Sequence, residues 1–348
     1  MKSALFLKTK HIGDSIILTS AISALPNDYL VDVVCFPDSV QIFEMNPRVR
    51  KIIIIARNLR GFKRFKQDFL NLSYLLSQDY ELLAQFSDDW RGAFISRLVK
   101  AKISVAISSN KRPWIWKNSF TYSAKRVLIT KRSAAESDVD LLRKVHLYNQ
   151  PFAPAYQLRT FQSDQAFVKS WLRLDKNYKD SKLVIIHPGS RWKFKEMPAS
   201  TWIAIINKLY ANGFYVVISS AQEDINANSE IIRLSNKQPR ITHGFDLKKI
   251  AALAELADLV ISIDSMIIHL ASAFLTPVIA IFGPTDERIW APWITKYKIV
   301  ALDSTSPSFH CRPCGHDGCA GSKISQCLIA VKPSHVISAV SKFFKLSN

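Results

Sequence analysis

ALFLKTKHIGDSIILTSAISALP, residues 4–26, places a short apolar run, a glycine and a carboxylate directly in front of a clean apolar helix. Ala4–Leu7 reads as a strand, and its unbroken apolarity marks one covered on both faces, as in parallel sheets built from βαβ crossovers. The same alternation continues along the chain. Val31–Phe36, Lys51–Ile55, Glu81–Phe86 and Ile103–Ile107 are strand candidates in the first half, and Leu183–His187, Phe214–Ser219, Leu259–Ile263, Val278–Phe282 and Ile299–Leu302 in the second. Helical patterns separate them, so the fold class is α/β, with two doubly wound domains.

The length agrees, since 348 residues exceed what one core usually holds. PFAPAYQLRTFQS, residues 151–163, has two prolines and no period, and places the boundary so that one domain covers 1–160 and the next 161–332. Pro333–Phe344 has apolar residues at helical spacing after a proline start, and residues 333–348 read as a closing C-terminal helix. No run approaches the ~20 apolar residues of a membrane span. The start, MKSALFLKTK, is too short an apolar stretch for a secretory signal, so a soluble cytoplasmic chain is expected.

The formal charge is +19. It concentrates in the first half, where Arg48–Lys66 holds eight basic residues and Trp90–Ala135 eleven, with no acid in either stretch. RNLRGFKRFK (57–66) and KRPWIWKNSFTYSAKR (111–126) mix cations with aromatic rings. A polyanionic partner is implied, either nucleic acid or an anionic lipid surface; a merely solvated basic face is the plain alternative.

Ligands of open parallel sheets bind beyond the carboxyl ends of the strands, so the loops there carry the candidates. After the first strand come Lys8, Lys10, His11 and Asp14; Asp14 is either a helix cap or a reactive carboxylate. HPGSRWKFKEMP (187–198) offers Gly189 for close backbone approach, with Ser190, Arg191, Lys193 and Lys195 for phosphate. SAQED (220–224) offers Glu223 for hydroxyls. DSMIIH (264–269) opens a helix with Asp264 and Ser265 and brings His269 one turn on. Each has a structural reading as cap, surface charge or core histidine. Together they place cations and helix N-terminal N–H groups as a diphosphate requires. Neither G-x-G-x-x-G nor a P-loop lysine occurs, which favours a nucleotide-activated group over a dinucleotide or a hydrolysed nucleoside triphosphate.

Cys35 lies in an apolar strand and reads as core. Cys311, Cys314, Cys319 and Cys327 fall in HCRPCGHDGCAGSKISQC (310–327), spaced C-x2-C-x4-C-x7-C. Two readings stand for these four: ligands of one structural zinc or iron ion, or free thiols.

The segments HIGDSIILTSA, HPGSRWKFKEMP, DSMIIHLASA, FGPTD, CRPCGHDGC and SKISQCL resemble glycosyltransferase family 9, the ADP-heptose:lipopolysaccharide heptosyltransferases of Gram-negative bacteria, most nearly the heptosyltransferase III branch. The resemblance implies a GT-B fold, with two Rossmann-like domains facing a central cleft. It implies an inverting transfer of heptose from ADP-heptose to the lipopolysaccharide inner core, with no cofactor required for catalysis. Asp14 matches the catalytic base, which nearby Lys8, Lys10 and His11 would hold ionised. Gly189, Ser190, Lys195, Asp264, Ser265 and His269 match donor-binding positions; Phe245 falls at the adenine pocket and Glu223 at a ribose-binding acid. Met266 stands where several members have glycine. Lys10, His11, Arg57, Arg60, Lys63 and Arg64 are the acceptor-binding candidates. The implied setting is the inner face of the inner membrane, in peripheral contact with its anionic surface and with no nucleic acid partner. The alternatives are a GT-B transferase using another nucleotide sugar, or, in another class, a nucleic-acid-binding protein.

Overall fold

The computed structural model describes residues 1–55, 61–109, 111–125, 132–178, 181–221, 224–302 and 309–346. The chain divides into two compact units, Met1–Arg159 and Thr160–Asn348. Unit 1 holds β1 (Lys2–Lys8), β2 (Tyr29–Cys35), β3 (Val49–Ile54), β4 (Asp79–Gln85), β5 (Lys100–Ser108) and β6 (Tyr122–Lys125), all parallel, in the order 3-2-1-4-5-6. Unit 2 holds β7 (Leu183–His187), β8 (Tyr215–Ile218), β9 (Arg240–Ile241), β10 (Leu259–Ile263), β11 (Val278–Ile281) and β12 (Tyr297–Val300), also parallel, in the order 12-11-10-7-8-9. Renumbered from its own first strand, unit 2 has the same order as unit 1. Each sheet therefore reverses direction once, between β1 and β4 in unit 1 and between β7 and β10 in unit 2, and a crevice for a ligand opens at the carboxyl ends beside that point.

The central strands are buried on both faces, and in β7 and β10 every residue is buried. The ten expected strands are all present. β6 and β9 were not expected: both lie at a sheet edge, and neither YSAK nor RI has the apolar run that double burial imposes. Within the cation- and aromatic-rich segment 111–126, two rings and one cation are turned inward. Trp116 is 0% exposed and packs on Phe120 with ring centroids 5.0 Å apart, while Arg112 pairs with Asp88 at 2.7 Å. Those aromatic residues fill the core instead of facing a partner. The closing helix runs Pro333–Val340, shorter than expected, because Phe343 and Phe344 turn back so that Phe344 meets Phe214 edge-on at 5.3 Å.

One carboxylate in unit 1 is fully buried at the centre of a polar cluster. Asp32 on β2 accepts from Arg50 Nε and Nη2 at 2.9 and 2.8 Å and from the hydroxyls of Tyr74 and Tyr80 at 2.9 and 2.8 Å. Four bonds satisfy the carboxylate, as a buried charge requires. The bond to Asp32 raises the Arg50 pKa, and burial followed by the same carboxylate raises that of Tyr80.

Candidate active site

In unit 1 the loops after β1 and β4 are joined at the reversal point. The backbone N–H of Thr9 donates to Ser87 Oγ at 2.8 Å, and its hydroxyl donates to the Asp89 carboxylate. Helix Ile12–Ala24 follows, buried along most of its length as its sequence requires. Its N-cap is His11, whose side chain makes no capping bond. Asp14 is the third residue of the helix, half-buried, and its carboxylate accepts no hydrogen bond among the described residues. The cap reading of Asp14 thus has no bond to support it, and the side chain stands available beside the reversal point. Lys8 is not its counter-ion: Lys8 Nζ is buried on Asp138 at 2.7 and 3.1 Å. Lys10 is half-buried and His11 exposed, both within four residues of Asp14. Arg57 and Arg60 lie outside the described residues. Lys63 and Arg64 fall in helix Gly61–Leu76, with their side chains outside the description.

In unit 2 the loops after β7, β8, β9 and β10 are tied together at one end of the sheet. Ser262 on β10 donates to the His187 carbonyl at 3.1 Å and lies 3.0 Å from the Ser265 hydroxyl. His187 Nδ1 is 3.3 Å from Ser219 Oγ at the end of β8, and Ser220 N–H donates to Thr242 after β9 at 3.2 Å. Across this set Lys195 Nζ pairs with Asp264 at 2.6 Å, both largely buried. Ser190 and Lys193 are held through Glu196, Lys193 at 3.1 Å and Ser190 N–H at 3.4 Å. Ser265 is the N-cap of helix Met266–Ala273, with Met266 as its first residue and His269, buried, one turn further. The structure thus joins Lys195, Asp264 and Ser265 at the N-terminus of one helix, and ties Ser190 to the Lys195 loop through Glu196.

Phe245 is held elsewhere, packed edge-on against Phe167 at 5.4 Å and Trp171 at 5.0 Å, and the Arg240 guanidinium covers Trp171 at 3.8 Å. Glu223 lies outside the described residues. The adjacent Asp224 meets the site. A Cβ on Gly189 would come 2.4 Å from its Oδ2, so the Asp224 carboxylate sits against the Gly189 backbone and would have to shift for any larger residue. The sequence signal was the SAQED loop itself.

Burial lowers the pKa of His187 to about 4, so its ring stays neutral. In the unfolded chain it titrates near ~6.5. Between these values the unfolded state binds the extra proton, so stability falls as pH drops from about 6.5 towards 4. His187→Gln should flatten that segment of a denaturant-derived stability profile by up to ~3 kcal/mol. An unchanged slope would mean that His187 titrates normally in the fold.

The cysteine stretch packs against the same loops. Cys311, Cys314, Cys319 and Cys327 all line one cavity of about 460 Å³. Burial, opposed by Arg312 and reinforced by the other three sulfurs, pushes the Cys327 thiol up to about 11. Arg312 donates to the Gly283 and Leu302 carbonyls at 2.6 Å each and to Glu287 at 3.0 Å, and Ser325 donates to the Phe194 carbonyl at 2.6 Å. The segment therefore braces the Lys193–Lys195 turn. As a donor set four thiols suit a soft tetrahedral ion, although among the described residues no three His, Cys, Asp or Glu side chains are drawn together at ligating positions.

Residues 72–319 match the model of glycosyltransferase family 9 (heptosyltransferase). The chain is 28% identical over 298 residues to lipopolysaccharide heptosyltransferase 3 of Escherichia coli, covering 81% of this chain and 83% of that protein. Among solved structures it resembles a glycosyl transferase family 9 protein from Veillonella parvula, with TM-score 0.81, 15% identity, and 98% and 97% of the two chains covered. It also resembles the E. coli heptosyltransferase WaaC solved with ADP-2-deoxy-2-fluoro heptose, with TM-score 0.70, 16% identity, and 98% and 99% covered. The paired parallel sheets are those of the GT-B heptosyltransferases. With the family model spanning well over half its length, the chain belongs to glycosyltransferase family 9, the heptosyltransferases.

Proposed function

We propose that this enzyme transfers heptose from ADP-heptose to the inner core of lipopolysaccharide with inversion at the anomeric carbon. The observation that carries the reading is the Lys195–Asp264 pair at the N-terminus of helix Met266–Ala273, a cation and free N–H groups gathered where a diphosphate would bind. Ser190 and Ser265 add hydroxyl donors, His269 lies one turn on, and Gly189 lets the backbone come close. Phe245, with Trp171 and Phe167 behind it, offers an aromatic edge to the adenine, and Glu223 or Asp224 an acid to the ribose.

In the reaction an acceptor hydroxyl attacks the anomeric carbon. Its proton passes to the Asp14 carboxylate, the bond from that carbon to the diphosphate oxygen breaks, and ADP leaves with the electron pair. Lys195 and the helix N–H groups stabilise the charge that gathers on the leaving diphosphate. Lys10, His11, Arg57, Arg60, Lys63 and Arg64 attract the carboxylates and phosphates of the core acceptor. No cofactor enters these steps. The enzyme works at the cytoplasmic face of the inner membrane, in peripheral contact with its anionic surface. Calorimetry tests the donor half of the reading: ADP should bind clearly more tightly than UDP or GDP, and a preference for either of those would redirect the assignment to another nucleotide sugar.

Cys311, Cys314, Cys319 and Cys327 hold one structural zinc or iron ion in the same reading. Four thiolates would saturate it and leave no position for substrate. Because Ser325 braces Phe194, losing the ion should loosen the Lys195 turn and weaken ADP binding indirectly. Elemental analysis of protein purified without chelator should find about one equivalent of zinc or iron. Metal-free protein with four titratable thiols and unchanged ADP affinity would show that the thiols are free.

A further inference from the structure

Helix Trp90–Leu98 is built inside out. Its inward residues are small or modest: Gly92, where a Cβ would strike the buried Gln85 side chain, then Ala93 and Ile95. Its large apolar residues point to solvent. Trp90 is 52% exposed and Phe94 62%, with Leu98 following one turn on, so positions i, i+4 and i+8 form one outward stripe. At 100° per residue the stripe is flanked by Arg91 on one side and Arg97 on the other, both exposed. Arg97 Nη2 donates to the Ile115 carbonyl at 2.6 Å and Ser96 to that of Ser119 at 2.6 Å, which binds the short turn Trp114–Lys117 to this helix. There Trp114, 75% exposed, and Ile115 continue the apolar surface, with Lys111 and Lys117 exposed at its margin. Trp116, between them, is the ring that enters the core.

We propose that this face of unit 1 docks on an anionic phospholipid bilayer, with Trp90, Phe94, Leu98, Trp114 and Ile115 entering the interface and the flanking cations meeting headgroup phosphates. Charge complementarity selects the occupant. Trp90–Ala135 contains eleven basic residues and no acid, so a neutral or basic protein surface is a poor match, and an anionic layer is a good one. Leu98 and Ile115 add aliphatic area that stacks on no base, which weighs against nucleic acid, whereas Trp with aliphatic residues and a basic rim is what an interfacial helix presents. No helix of the described residues is long and apolar enough to cross a membrane, so the contact is peripheral. The proposal rests on the reading that the enzyme acts on lipopolysaccharide at the face of the inner membrane, since docking would bring it to that substrate.

The test is flotation of the full chain with vesicles of phosphatidylglycerol and phosphatidylcholine, alongside pure phosphatidylcholine vesicles. Wild type should float with the anionic vesicles and much less with the neutral ones. Trp90→Ser/Phe94→Ser/Trp114→Ser should lose about tenfold or more in partitioning, while ADP affinity and transfer to a deacylated, water-soluble acceptor stay at wild-type values. Arg91→Gln/Lys111→Gln/Lys117→Gln should weaken binding to anionic vesicles and leave neutral-vesicle binding alone. Wild type that ignores both vesicles, an aromatic variant that floats like wild type, or an aromatic variant that instead loses a concentration-dependent dimer would each overturn the proposal. Vesicle binding is read without substrate, so an enzyme that docks yet transfers no heptose refutes the activity and not the surface, and the converse result refutes the surface alone.

Discussion

Asp14→Asn is expected to leave the fold and ADP binding intact and to reduce heptosyl transfer by about 10² or more. The side chain accepts no hydrogen bond among the described residues, and the helix that holds it is kept in place by burial of Ser15–Ile22 and Ala24 and not by a side-chain cap. Exchanging one carboxylate oxygen for an amide therefore removes basicity while conserving shape. The loss should fall on kcat, because a general base acts on the acceptor proton in the transition state and contributes little to donor binding. Single-turnover measurement at saturating donor and acceptor checks it; turnover near the wild-type rate would leave Asp14 with no catalytic part.

Lys195→Ala should weaken ADP binding by roughly 10- to 100-fold, as expected for loss of a charge-assisted contact worth ~1.5 to 3 kcal/mol. The pairing with Asp264 at 2.6 Å sharpens this expectation. Without Lys195 the buried Asp264 carboxylate loses its counter-ion and faces the incoming diphosphate as a like charge, so the lost attraction is joined by repulsion. Lys195→Ala/Asp264→Asn should then bind ADP better than Lys195→Ala alone. Calorimetry with ADP decides it, and unaltered affinity in the single variant would place the diphosphate away from Lys195.

What the residues disclosed beforehand follows from how each feature is encoded. β7 and β10 were readable to the residue because double burial writes itself as unbroken Leu183–His187 and Leu259–Ile263. β6 and β9 have one neighbour each and no such signature. Lys195 and Asp264 could each be picked out from their own loops, but not their contact across 69 positions, because charge alone does not name a partner. The same gap misled the reading of Lys8, which pairs with Asp138 across 130 positions and so is not the group beside Asp14. Aromatic residues among cations gave a mixed signal for the same reason: Trp114 and Trp116 look alike in the chain, and only packing sends one to solvent and the other to the core. Gly92 made that division possible for its own helix, by letting the helix settle onto Gln85 and leaving the large residues outside.

The central claim is the transfer of heptose from ADP-heptose to a core acceptor. Its most direct measurement is the mass of the acceptor after incubation of the purified chain with deacylated inner-core oligosaccharide and an equimolar mixture of ADP-heptose and ADP-hexose. The acceptor should gain a single heptosyl unit, with one equivalent of ADP released per unit. A hexosyl gain, or an acceptor of unchanged mass while ADP-heptose remains intact, would contradict it.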